Sequence, residues 1–214
     1  MRYIVSGLLS LTFAAVAAGH PRADFTCGMA STNNGWCDVC RVGYLATVEI
    51  RSAKLFEALD ANGHEFPEPG TTGCAVCREA WTANGYCHDC RIGFVDGHGY
   101  FTKLTYLLAK GEVRDPAKLT CGPCAKAAAD TTLPLDDPAW CDACVQGMVG
   151  NVVFRDKKDY AAARKQFELL LRAVKESDRC EMCSMLLFYG GVCRACNITY
   201  KNGKVVQAKR PAGK

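Results

Sequence analysis

The chain has 214 residues, 15 of them cysteine, with 49 % hydrophobic and 22 % charged residues and a net charge of +4. That hydrophobic content excludes a disordered chain, and so mild a positive charge gives no ground for nucleic-acid binding. No apolar run reaches the 18 or so residues of a membrane span.

Residues 1–18 read as a secretory signal. Arg2 precedes an apolar stretch through Leu8, Leu9, Leu11 and Phe13, which ends in small residues from Ala14 to Ala18. Ala15-Val16-Ala17 and Val16-Ala17-Ala18 both fit the small-residue cleavage rule, which places cleavage after Ala17 or Ala18. The first cysteine is Cys27, too far on for lipid attachment at a cleaved cysteine. The expected location is therefore periplasmic or secreted, where disulfides are chemically permitted.

The cysteines that follow form repeats. Cys74-x2-Cys77-x9-Cys87-x2-Cys90 returns as Cys180-x2-Cys183-x9-Cys193-x2-Cys196. Cys121-x2-Cys124-x16-Cys141-x2-Cys144 is the same unit with a longer central loop around residues 133–138. The first copy is incomplete. Aligning Asn34-Gly35-Trp36-Cys37 with Asn84-Gly85-Tyr86-Cys87 pairs Cys40 with Cys90 and Cys27 with Cys77, and leaves Asp24 in the place of Cys74. The 15 cysteines are thus three sets of four and one of three. The expected organisation is a signal at 1–18 and modules at 19–70, 71–117, 118–177 and 178–214, the last with a basic tail at 209–214.

After each second pair come turn-forming residues flanked by apolar ones: Ala46-Thr47, Asp96-Gly97, Gly150-Asn151 and Asn202-Gly203. A two-stranded hairpin is expected at each. Helices are expected next over 52–61 and 102–110, with Gly63 and Gly111 as stops. A longer one is capped by Asp156 or Asp159 and carries Tyr160, Phe167, Leu170, Leu171 and Val174 at helical spacing. Between the pairs, residues 125–129 read as helical, whereas 185–189 can be read as strand. The fold class is α+β: four small metal-stabilised modules, each a knuckle pair with a hairpin, the first three followed by a helix.

Two close cysteine pairs brought together by a turn supply four thiolates at the corners of a tetrahedron, the geometry that zinc prefers. The pattern resembles the zinc-ribbon class of modules, which includes rubredoxin-like variants that hold iron. The expected ligands are Asp24, Cys27, Cys37 and Cys40; Cys74, Cys77, Cys87 and Cys90; Cys121, Cys124, Cys141 and Cys144; and Cys180, Cys183, Cys193 and Cys196. About four zinc ions are implied, with iron the less favoured metal. His20 or water competes with Asp24 for the open corner. A structural zinc site is worth on the order of 10–16 kcal/mol, enough to dominate the stability of modules of this size. The alternative is a disulfide framework: a bridge within a two-spaced pair closes too small a loop to constrain the unfolded chain, whereas bridges between pairs stay open.

Other chemistries are weaker. Cys121-Gly122-Pro123-Cys124 looks like the active-site tetrad of thioredoxins, yet Thr120 precedes it and it occupies the first-pair position of a repeat. Covalent haem needs His after a cysteine pair, where this chain has Arg41, Arg91, Val145 and Asn197. His88 reads as a solvated spacer, and His64 and His98 as turn residues. No catalytic constellation, phosphate loop or dinucleotide fingerprint is present. Ionising all 15 cysteines around four zinc ions would take the mature chain from +3 to about −4, which disfavours nucleic acid further. The expected function is an exported, non-enzymatic zinc-binding scaffold for another macromolecule, a protein. Its surface would be formed by exposed aromatic hairpin positions and the short helices. The alternatives are a thiol–disulfide oxidoreductase using the cysteine pairs, and a metal storage or delivery protein.

Overall fold

The computed structural model describes residues 30, 34–119, 121–129 and 140–208. The expected signal segment at 1–18, His20, Asp24, Cys27, the 133–138 loop and the 209–214 tail lie outside these residues. Strand β1 (Trp36–Cys37) leads into the hairpin of β2 (Val42–Leu45) and β3 (Val48–Ile50), then helix α1 (Ala53–Leu59). The next round is β4 (His64–Glu65), α2 (Ala75–Thr82), β5 (Tyr86–Cys87), β6 (Ile92–Val95), β7 (His98–Tyr100) and α3 (Lys103–Lys110). Then follow β8 (Glu112–Val113), α4 (Gly122–Ala129), β9 (Gly147–Val149), β10 (Val152–Phe154) and the 21-residue α5 (Lys157–Ser177). Last come α6 (Glu181–Tyr189), β11 (Gly191–Cys193), β12 (Ile198–Lys201) and β13 (Lys204–Ala208). The strands form four small antiparallel sheets: β1-β2-β3, β4-β7-β6-β5, β8-β10-β9 and β11-β12-β13. Linker strands β4 and β8 each cover the outer edge of the next hairpin. No described helix is long and apolar enough to cross a membrane.

The hairpins turn where the sequence places them. Leu45 pairs with Val48, Val95 with His98, Val149 with Val152 and Lys201 with Lys204. Ala46 and Thr47 take left-handed φ values of 49° and 69°, a conformation that side chains with a Cβ resist. Asn34 steadies this turn, its Oδ1 accepting from the Ala46 N–H at 2.7 Å. Asn84 does the same for the Asp96 N–H at 3.0 Å.

Ser52, Thr102 and Asp156 stand at one position of the repeat and cap α1, α3 and α5, each accepting from backbone N–H groups of the first turn. Helix α1 is shorter than expected. It ends at Leu59 because Asp60 turns left-handed at φ 48°, ahead of Gly63. Residues 185–189 are helical, not strand. They continue α6, which starts beside Cys180 and buries Cys183, Ser184 and Leu187.

The second and third cysteine sets each keep a small buried cluster, Cys77 and Cys87 with Ala80 and Phe94, and Cys124 with Leu119, Met148 and Val153, but a larger core joins the segments. One buried cluster runs from Leu45, Ile50, Leu55 and Leu59 through Leu104 and Leu107 to Val149, Phe167 and Leu170. It ends at Cys183, Leu187 and Tyr200. Helix α5 packs on α3, α6 and β9, and α1 packs on α6. The Ser52 hydroxyl, besides capping α1, donates to Glu181 Oε1 at 2.9 Å, which ties the first segment to the last. The Tyr189 hydroxyl donates to the Ala58 carbonyl. Four of the five aromatic hairpin positions are core and not surface: Phe94, Tyr100, Phe154 and Tyr200 are buried, and Tyr44 is half-buried. With a mean strand length this short, hairpins cannot bury an apolar face alone, so they bury it against the helices.

Candidate metal centres

In each complete cysteine set the two pairs arrive from different backbone structures. The second pair sits in a tight loop between two strands, or the equivalent Cys141–Gln146 bridge in the third set. The residue that follows it is left-handed in all four sets: Arg41 at φ 53°, Arg91 at 60°, Val145 at 51° and Asn197 at 55°. This turn re-aims the chain from the loop into the hairpin. The first pair opens a helix. Cys74 and Cys180 are the N-caps of α2 and α6, and Cys121 precedes α4. A helix start offers unpaired N–H groups and a partial positive charge, both favourable to thiolate.

The pairs converge on three groups of four. Cys74, Cys77, Cys87 and Cys90 have their Sγ atoms within 4.8 Å of one another. So do Cys121, Cys124, Cys141 and Cys144, and Cys180, Cys183, Cys193 and Cys196. First and third cysteines stand 3.9 Å apart in the second set, 4.0 Å in the third and 3.8 Å in the fourth. An ion bonded to four sulfurs at about 2.3 Å has tetrahedral edges of about 3.8 Å, whereas a disulfide needs about 2.05 Å. The spacing therefore fits a shared ion. Three sites could bind a metal such as zinc.

The electrostatics of the thiols point the same way. Backbone N–H groups lower the thiol pKa of Cys74 (from Cys77), Cys141 (from Cys144) and Cys180 (from Cys183). Burial raises that of Cys77, Cys124 and Cys183, which are 1 %, 2 % and 0 % exposed. The Cys121 thiol and burial together push Cys144 up to about 12. Each set thus holds a thiolate already favoured beside a thiol that needs a nearby cation before it ionises. A divalent ion supplies that charge.

The three sets differ around their buried second cysteine. The Gln146 side chain hydrogen-bonds Cys124, and Tyr200 hydrogen-bonds Cys183. Around Cys77 the partners are the thiols of its own set, packed under Ala80 and Phe94. Of the first set, Cys37 is buried and Cys40 exposed on the loop between β1 and β2. Asp24 and Cys27 lie outside the described residues. No histidine joins a cluster among the described residues: His88 is exposed beside the Tyr86 ring, and His64 lies 3.1 Å from Asp60.

Sequence reasoning missed the residues that hold each site against its helix. Gly43, Gly93 and Gly147 lie at one position of the repeat, and Phe56, Tyr106 and Tyr160 each follow thirteen residues later (56 − 43 = 106 − 93 = 160 − 147). A Cβ on these glycines would meet those rings at 2.3, 2.1 and 2.4 Å. The same rings pack on the residue before the third cysteine, with Trp36–Phe56, Tyr86–Tyr106 and Trp140–Tyr160 centroids 5.5, 5.4 and 5.7 Å apart. The constant separation was the available signal. The fourth set, which has no such helix among the described residues, has Thr199 and an exposed Val192 in these places.

No family model, no curated protein and no solved structure matches this chain.

Proposed function

We propose that the chain is an exported zinc protein. In this reading the ions staple four zinc-ribbon-like modules into one body, which serves as a non-enzymatic scaffold for a protein partner. The observation that carries this reading is the 3.8–4.0 Å spacing between thiols of different pairs. The shared core supports it too, since helices from different modules bury one another's apolar faces. Sites closed by four thiolates leave no ligand position for substrate, as structural zinc requires. Cys27, Cys37 and Cys40 with Asp24 would hold a fourth ion at a weaker site. The test is metal analysis and thiol titration of the purified chain. Three to four tightly held zinc ions, with unfolding by chelator and indifference to reductant, are the expected result. Disulfides by mass, with unfolding by reductant alone, would overturn it.

One observation favours a second reading, thiol–disulfide exchange: Cys121-Gly122-Pro123-Cys124 opens α4 with Cys124 buried. Turnover of a disulfide substrate that is lost in Cys121→Ser would support it. Rapidly exchanged ions would instead support metal delivery.

A further inference from the structure

Beside the fourth cysteine set a groove of about 210 Å³ separates the C-terminal end of α5 from β13. Arg172, Lys175, Glu176 and Arg179 line one side, Tyr200 and Val205 the other. Strand β13 pairs with β12 and is the outer strand of its sheet. All five of its residues are exposed, Val205 and Val206 by 51 % and 57 %. Such an edge presents a row of backbone donors and acceptors ready to pair with another strand. A Cβ at Gly203, in the turn into β13, would stand 2.9 Å from Leu169 of α5, so this turn lies close against the helix.

Charge selects what fits beside this edge. Arg172, Lys175 and Arg179 are exposed and form no ion pair among the described residues. Glu176 is the carboxylate among the lining residues. Lys201 and Lys204 flank the turn into β13, and Lys209 and Arg210 follow it in sequence. A second copy of this edge, or the chain's own basic tail, would bring like charge to like. We propose that an extended acidic segment of a protein partner adds as a strand along the free edge of β13, its carboxylates reaching Arg172, Lys175 and Arg179 beside the groove. This rests on the scaffold reading, for which it names the partner's chemistry. Backbone pairing would give affinity, and the basic residues would choose the sequence.

The probe is a fluorescein-labelled decapeptide of alternating Glu and Val, titrated by anisotropy against the zinc-loaded full chain at low salt. Saturable binding is expected, weakened at least tenfold by Arg172→Glu with Arg179→Glu. N-methylation of alternate peptide amides should weaken it as much, because it blocks strand pairing and spares charge. A Lys–Val decapeptide should not bind. Equal binding of the methylated peptide would overturn the proposal, leaving a bare charge contact. Absence of binding by a monomeric chain overturns it as well. So does self-association abolished by Val205→Lys, which would assign the edge to a second copy. Metal analysis of the same sample separates the two readings: a zinc-loaded chain that ignores the peptide loses the peptide-binding edge alone, and a chain without zinc loses the scaffold.

Discussion

Replacing Gly93 by alanine tests how tightly each site is locked to its helix. The new Cβ would stand 2.1 Å from Cγ, 2.2 Å from Cδ2 and 2.5 Å from Cβ of Tyr106. Carbon atoms pack at about 3.5–4.0 Å, so the ring must retreat by more than an ångström. It has no room to do so: Tyr106 is 6 % exposed, packs at a tilt against Tyr86 and donates its hydroxyl to the Asn84 carbonyl at 3.2 Å. Overpacking of a full core costs about 1–3 kcal/mol, and a ring fixed at both ends belongs at the top of that range. The entropy gained by removing a glycine, about 0.4–1 kcal/mol, offsets only part. Urea unfolding at saturating zinc should therefore show Gly93→Ala about 2 kcal/mol less stable. Adding Tyr106→Leu should recover part of that loss, giving a favourable coupling of at least about 1 kcal/mol in the double-mutant cycle. A cost under about 0.5 kcal/mol for Gly93→Ala, or additive effects, would refute the reasoning. Gly43→Ala and Gly147→Ala should behave alike, through Phe56 and Tyr160.

Val145, β-branched at φ 51° and 59 % exposed, holds strain with little burial to compensate it. Val145→Asn should raise stability by about 1 kcal/mol, read as an increase of about 2–4 °C in Tm. Burial raises the Asp60 carboxyl above its ordinary 3.8, an effect that His64 partly offsets. Its ionisation therefore opposes folding, and stability is lost as pH rises through the raised pKa. Asp60→Asn should be the more stable protein at pH 8, with the difference shrinking on acidification and gone below 3.8. At the first cysteine set, zinc release against a graded chelator should be faster in Asp24→Ala and slower in Asp24→Cys; identical first-ion release in both and in the parent chain would remove Asp24 as a ligand.

The caps at Ser52 and Thr102 came from the structure, whereas spacing alone determined the three four-cysteine sets, the four hairpin turns and the cap of α5 to within Asp156 or Asp159. These are local features: two residues between cysteines, a tight-turn pair or a capping side chain act within one turn of chain, so linear order carries them. The helix at 185–189 was not legible, because its apolar run has no polar alternation to set a period; packing of Cys183 and Leu187 into the common core decides it. Burial of Phe94, Tyr100, Phe154 and Tyr200 was not legible either, since a hairpin aromatic reads the same whether water or a neighbouring helix covers it. Nor could spacing show that Gln146 reaches Cys124 and Tyr200 reaches Cys183. The identity of each set's sulfurs is a property of short segments, whereas what surrounds them depends on contacts between residues far apart in the chain, such as Ser52 with Glu181, and those exist only once the chain has folded.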